Sequence, residues 1–186
     1  MNKCLIVNLF GAPGAGKSTG AAYIFSKLKL AGVNAELITE FAKDKVWEGN
    51  EEVFKADNQC YVFGEQFYRQ SVCKNKVDVI VTDSPLPLSI VYNKSEVLGE
   101  SFNTVVMGCF NSFDNINFLI LREKEYEPSG RLQTEEESEE LLNKIQSLMS
   151  HYAIPCSVLK GNEDNYNLIT EMILDKLNGD NIAERT

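Results

Sequence analysis

Apolar residues are spaced along the chain in two alternating periods. Residues 3–9 (KCLIVNL) form a continuous apolar run, the pattern of a strand covered on both faces. The period then changes: Ala21, Ala22, Ile24, Phe25, Leu28 and Ala31 recur at three- and four-residue steps, which predicts a helix that Gly32 stops. Short strands are predicted at 35–39 (AELIT), 77–82 (VDVIVT), 117–121 (NFLIL) and 155–159 (PCSVL). Helices are predicted over residues 50–75 and 95–113. Thr134 opens T-E-E-E, a capping box whose hydroxyl and Glu137 satisfy amides of a first helical turn. The acidic run 135–140 lies where the helix dipole favours negative charge. Leu141, Leu142, Ile145 and Leu148 share one face of that helix. Asn162 caps a last helix with Leu168, Ile169, Met172, Ile173 and Leu177 inward, and residues 179–186 read as a frayed tail. Strands alternating with helices predict an α/β fold, a five-stranded parallel sheet with helices on both faces, in one domain over residues 1–178.

Composition narrows the class. The 186 residues are 44% hydrophobic and 24% charged, enough for a packed core and unlike a disordered chain. Eighteen Lys+Arg against 27 Asp+Glu leave a net charge of -9, which repels phosphate backbones at long range and argues against broad nucleic-acid binding. A small basic pocket is still compatible with that sum. No apolar run reaches the ~18–20 residues of a membrane span, so a soluble, cytoplasmic protein without a membrane partner is expected. The cysteines (Cys4, Cys60, Cys73, Cys109, Cys156) are scattered, as for reduced, mostly buried thiols. One histidine, His151, gives no zinc site and reads as a helix cap.

Gly11-Ala12-Pro13-Gly14-Ala15-Gly16-Lys17-Ser18 satisfies G-x-x-x-x-G-K-[ST] between a predicted strand and a predicted helix, the context a phosphate-binding loop (P-loop) requires. Backbone N–H groups can wrap a phosphate chain only where side chains are absent, hence the glycines. The helix that follows aims its N-terminus at the anion. Lys17 is expected on the β- and γ-phosphates of ATP, Ser18 on Mg²⁺ and Thr19 on the α-phosphate. Asp83 ends the strand VDVIVTD at the edge where open α/β sheets bind ligands, and is the second expected magnesium ligand; its alternative is a helix cap.

A P-loop serves kinases, ATPases and GTPases alike. A kinase needs a lid, an acceptor site and a group to take the acceptor's proton. Residues 122–133 suit a lid, with Arg122, Lys124 and Arg131 beside Pro128 and Gly130. Glu40, ending the second strand, suits the base, with Lys43 and Asp44 behind it; a helix cap is the alternative. On the helix at 50–75, Phe54, Tyr61, Tyr68 and Val72 form the expected core stripe. Gln59, Phe63, Gln66 and Gln70 form the opposite one, either an ordinary wet face or a reader of a base by amide and ring. Arg69 is placed to meet an acceptor phosphate, and Trp47, Tyr92 and Tyr126 to line the acceptor side.

GAPGAGKST after a short strand, Glu40-x-x-Lys43-Asp44, VTDSPL, and Tyr126-x-x-x-Gly130-Arg131-x-Gln-x-Glu-Glu-Glu together resemble the small P-loop kinases of tailed bacteriophages. Those are similar to the nucleoside/nucleotide kinase group and to ribosylnicotinamide kinases. The resemblance implies a P-loop NTPase fold of nucleotide-kinase type and transfer of the γ-phosphoryl group of ATP, with Mg²⁺, to a small-molecule nucleoside or nucleotide. It also implies Glu40 as base and a host-cytoplasmic setting, and it leaves a homodimer open. Kinases of this group carry an acid-arginine pair after the third strand; here the pair is Asp83-Ser84, without the arginine. Some relatives act on 5-hydroxymethyluracil in phage DNA, so modified DNA is an alternative acceptor. A nucleotide-binding ATPase module is a second alternative.

Overall fold

The computed structural model describes residues 4–126 and 134–183. Five parallel strands form one sheet: β1 (Leu5–Phe10), β2 (Ala35–Ile38), β3 (Val79–Thr82), β4 (Asp114–Leu121) and β5 (Ser157–Lys160), in the order β2-β3-β1-β4-β5. The first strand in the chain lies at the centre; β2 and β3 lie on one side of it, with β2 at the edge, and β4 and β5 on the other. Parallel strands joined by right-handed crossovers place their helices on both faces.

One face carries α1 (Lys17–Leu30) and α7 (Glu163–Ala183). Ala21, Ile24 and Leu28 meet Tyr166, Ile169 and Ile173 over Val7, Val81 and Phe118. The other face carries α3 (Gln59–Cys73), the short α4 (Leu88–Tyr92), α5 (Gly99–Asn111) and α6 (Glu135–His151). Their core residues include Phe63, Leu88, Phe102, Val106, Ile145 and Met149. Between β2 and α3 lie α2 (Phe41–Trp47) and two 3-10 turns, Glu51–Phe54 and Ala56–Asn58.

Four differences from the sequence reading are informative. The stretch expected as one helix over 50–75 is broken, and α3 turns the opposite stripe inward. Phe63, Gln66 and Gln70 are buried, whereas Phe54, Tyr61, Tyr68 and Val72 are exposed. Periodicity found both stripes, but two glutamines made the buried one look wet. Strand β4 starts at Asp114, not Asn117. Its polar start is internal because Asn8 Nδ2 donates to Asn115 Oδ1 (2.9 Å) and Asn117 Oδ1 (3.0 Å), and Asn117 Nδ2 donates to the Pro155 carbonyl. This amide network pairs side chains that would each be costly to bury alone and fixes the β1–β4 register. Helix α7 continues to Ala183 instead of fraying from Gly179, and its inward face includes Tyr166 while Leu168 is exposed. The cysteines are free thiols, but Cys60 and Cys156 are exposed, not buried.

The capping box at Thr134 forms as read. Its hydroxyl accepts from the Glu137 amide at 3.2 Å, and Glu137 Oε2 accepts from the Thr134 amide at 2.7 Å. Asn162 Oδ1 likewise accepts from the Asn165 amide at the start of α7. Among the described residues no helix is long and apolar enough to cross a membrane.

Candidate active site

The loop between β1 and α1 is a backbone structure. Gly16 has φ 95°, a left-handed conformation, and a Cβ there would fall on the Tyr166 hydroxyl. That hydroxyl donates to the Gly16 carbonyl at 3.0 Å, and Ser138 Oγ of α6 donates to the Pro13 carbonyl at 2.8 Å. Gly161, after β5, lies so close that a Cβ would collide with the Ala15 carbonyl. The loop is therefore braced from α6, from α7 and from the β5–α7 turn, none of which belongs to the motif. Lys17 Nζ donates to the Ala12 carbonyl at 3.0 Å, folding its cation over the loop. Ser18 and Thr19 stand exposed in the first turn of α1.

Beside this loop lies a cavity of about 530 Å³. The P-loop forms part of its lining with Pro13, Gly14, Gly16, Lys17, Ser18 and Thr19. The remainder comes from Glu40, α2, the 3-10 turns, α3 and α4. The volume is within the range of small-molecule sites.

Glu40 stands at the N-cap position of α2, yet its side chain makes no capping bond and it lines the cavity. Burial pushes its carboxyl above the ordinary glutamate range. Asp83 and Asp44 add to that effect, while Lys17 and Lys43 oppose it. The backbone around it is held by Gln66, whose Oε1 accepts from the Phe41 amide (3.0 Å) and whose Nε2 donates to the Thr39 carbonyl (3.3 Å). Gln66 thus grips the residues on either side of Glu40, and both ends of its amide are engaged.

Asp83 follows β3 and is 3% exposed. Its Oδ1 is buried with no hydrogen-bond partner among the described residues. It does not cap a helix, because α4 begins at Leu88 with Pro87 at the N-cap. An unsatisfied buried carboxylate oxygen costs stability unless something else binds it. Its carboxylate and the Ser18 hydroxyl are hard oxygen donors of the kind that suits Mg²⁺, although Asp83 is not itself part of the cavity lining.

The other expected site residues divide. Gln59 and Tyr92 line the cavity. Burial, and then the charge of Glu40, push the Tyr92 phenol well above its usual range, so it stays a neutral hydroxyl. Phe63 is in the core, stacked on Phe67 (6.0 Å) and edge-on to Phe102 (5.6 Å), and does not line the cavity. Arg69 pairs with Asp44 at 3.0 Å, lies over the Phe41 ring and is likewise absent from the lining. Trp47 is 70% exposed outside the cavity. Arg122 follows β4, pairs with Glu135 (2.7 Å) and Glu139 (3.5 Å) and packs on the Tyr126 ring. Arg131 and most of the expected lid lie outside the described residues. Sequence reasoning missed Phe54, Lys55 and Lys94 in the lining, and Ser138 and Tyr166 behind the loop. Pro85 and Pro87 were the available signal for α4.

Solved structures share this fold. The chain aligns with a deoxyadenosine kinase from M. mycoides solved with bound dATP (21% identity, TM-score 0.55, 93% of this chain and 99% of that one). It also aligns with APE1195 (16% identity, TM-score 0.56, 94% and 97%). A third match is NadR in complex with NR (14% identity, TM-score 0.67); it covers 92% of this chain but 50% of NadR. At these identities the likeness is one of fold. No curated protein sequence matches the chain. A family model described as an AAA domain matches residues 6–165, and the chain belongs to that family.

Proposed function

We propose that the protein transfers the γ-phosphoryl group of ATP to a hydroxyl of a nucleoside or nucleotide bound in the cavity. One observation carries the reading: a single cavity is lined both by Lys17, Ser18 and Thr19 and by Glu40, a carboxylate with no capping role. Two fold neighbours support it, a deoxyadenosine kinase and NadR bound to NR.

In this mechanism the loop amides and Lys17, released from the Ala12 carbonyl, hold the phosphate chain. Ser18 and Asp83 are the residues that would hold Mg²⁺, which neutralises charge on the phosphoryl oxygens when bound. Glu40 accepts the proton of the acceptor hydroxyl as its oxygen bonds to the γ-phosphorus; the bond from that phosphorus to the bridging oxygen breaks, and ADP leaves. Arg122, drawn from Glu135 and Glu139, and Arg131 counter the charge that develops during transfer. The test is transfer of label from [γ-³²P]ATP to a panel of nucleosides and nucleotides. Lys17→Ala is expected to abolish transfer with the circular dichroism spectrum unchanged. A folded Lys17→Ala protein with undiminished turnover rejects the mechanism.

A further inference from the structure

The cavity has a charge pattern that the proposed reaction alone does not require. We infer that the acceptor arrives already carrying a phosphate, so that its class is a nucleoside monophosphate and not a free nucleoside. This rests on reading the cavity as the acceptor site.

The protein as a whole is acidic, at -9, yet the charged residues lining the cavity are Lys17, Glu40, Lys43, Lys55 and Lys94. Lys17 serves the donor and Glu40 the acceptor hydroxyl. The remaining lysines come from α2, from the break between the two 3-10 turns and from the segment after α4. Their neighbours do not neutralise them equally. On α2, Lys45 is taken by Glu48 at 2.6 Å, and Asp44 by Arg69 at 3.0 Å. Lys43 and Lys94 make no ion pair or hydrogen bond among the described residues. Lys55 pairs with Glu52 at 2.6 Å, but both side chains are about two-thirds exposed (67% and 66%), and such a pair exchanges readily for a better anion.

A clasp ties together the segments that carry two of these lining lysines. Ser95 Oγ donates to Asp57 Oδ1 at 2.5 Å and accepts from the Val97 and Leu98 amides. Ser95 is buried, although its neighbours Lys94 and Glu96 are exposed. The bond ties the turn next to Lys55 to the segment that begins at Lys94. It also engages one Asp57 oxygen with a hydroxyl, and Asp57 forms no ion pair with either lysine among the described residues.

Lysines gathered at one rim repel one another unless an anion sits among them. A base and a sugar offer no charge; a 5′-phosphate offers about two, held by charge-assisted bonds. On an acidic surface such a rim also draws a phosphorylated ligand towards the one place that accepts it.

The experiment measures label transfer from [γ-³²P]ATP to free nucleosides, to their 5′-monophosphates and to an oligonucleotide containing 5-hydroxymethyluracil. The expected result is kcat/KM at least roughly tenfold higher for a monophosphate than for its nucleoside. Lys43→Gln and Lys94→Gln should each raise KM for the monophosphate by roughly three- to tenfold and narrow its advantage. Ser95→Ala should do the same in a smaller degree, and added salt should weaken monophosphate KM most. Lys144→Gln, an equal charge change on exposed α6 outside the cavity, is the control expected to change nothing. Equal use of nucleosides and monophosphates overturns the inference and leaves the kinase reading standing. So does a uniform fall in kcat for Lys43→Gln with every acceptor, which would make Lys43 only a neighbour of Glu40. Label entering only the oligonucleotide overturns it too. Transfer to no acceptor takes down both readings together.

Discussion

The glycine loop and the rest of the cavity wall that it helps to line are made of different material. In the proposed function the loop binds with backbone amides, and its shape follows from glycines at fixed positions. The cavity is lined by side chains from α2, the 3-10 turns, α3 and α4, and no short motif prescribes them. A backbone site resists substitution except at the glycines and the lysine. A side-chain site can change specificity one residue at a time.

The sharpest way to break this contrast is at Glu40, the point where the two regions meet. Glu40→Gln is expected to lower kcat by roughly 10²–10⁴-fold, the usual worth of a general base, while ATP affinity measured by calorimetry stays within a factor of two or so. A kcat near that of the parent protein would remove Glu40 from the chemistry. The pH profile gives an independent check. Because burial raises its pKa, with Asp83 and Asp44 adding and Lys17 and Lys43 opposing, the active ionised form appears only above the ordinary glutamate range. The acid limb of kcat/KM should therefore be displaced upward, with the neutral hydroxyl of Tyr92 silent across it, and it should vanish in Glu40→Gln. The same shift has a stability sign. A carboxyl whose folded pKa is raised contributes stability below its unfolded pKa and loses it as pH rises through the folded value. Glu40→Gln should accordingly melt higher than the parent at neutral pH, and lose that advantage in acid.

A smaller effect is expected at Gln66, which reaches the cavity wall but spends its amide on Thr39 and Phe41. Gln66→Leu should lower kcat by roughly 10- to 100-fold through displacement of Glu40, with KM for ATP little changed. Gln66→Glu, which keeps the acceptor oxygen for the Phe41 amide, should recover part of it. If Gln66→Leu instead raised only acceptor KM, the amide would be a base reader after all. The mildest change belongs to the back of the loop. Tyr166→Phe removes one hydrogen bond, worth about 0.5–1.5 kcal/mol, and should weaken ATP binding roughly two- to tenfold with acceptor KM unaffected.

The same contrast explains what could be read in advance. The sheet, helices α1, α5, α6 and α7, the capping box and the loop were legible, because hydrophobic period and glycine placement report backbone geometry directly; α2 and α4 were not read. Glu40 and Asp83 were legible as acids at strand ends; their environment was not, since it depends on which residues close over them. Gln66 and Gln70 misled because burial of an amide is set by partners far away in sequence, here Thr39 and Phe41 for Gln66. Arg69 looked available until Asp44 and Phe41 were seen to hold it. Lys94 and Tyr166 carried no local signal at all.

The bracing of the loop by Ser138 and Tyr166 has a consequence for biosynthesis. These partners lie 125 and 150 residues downstream of the carbonyls they hold. The loop is thus finished by parts that the ribosome makes later. A nascent chain lacking α6 and α7 would display the motif without the two hydrogen bonds that brace it.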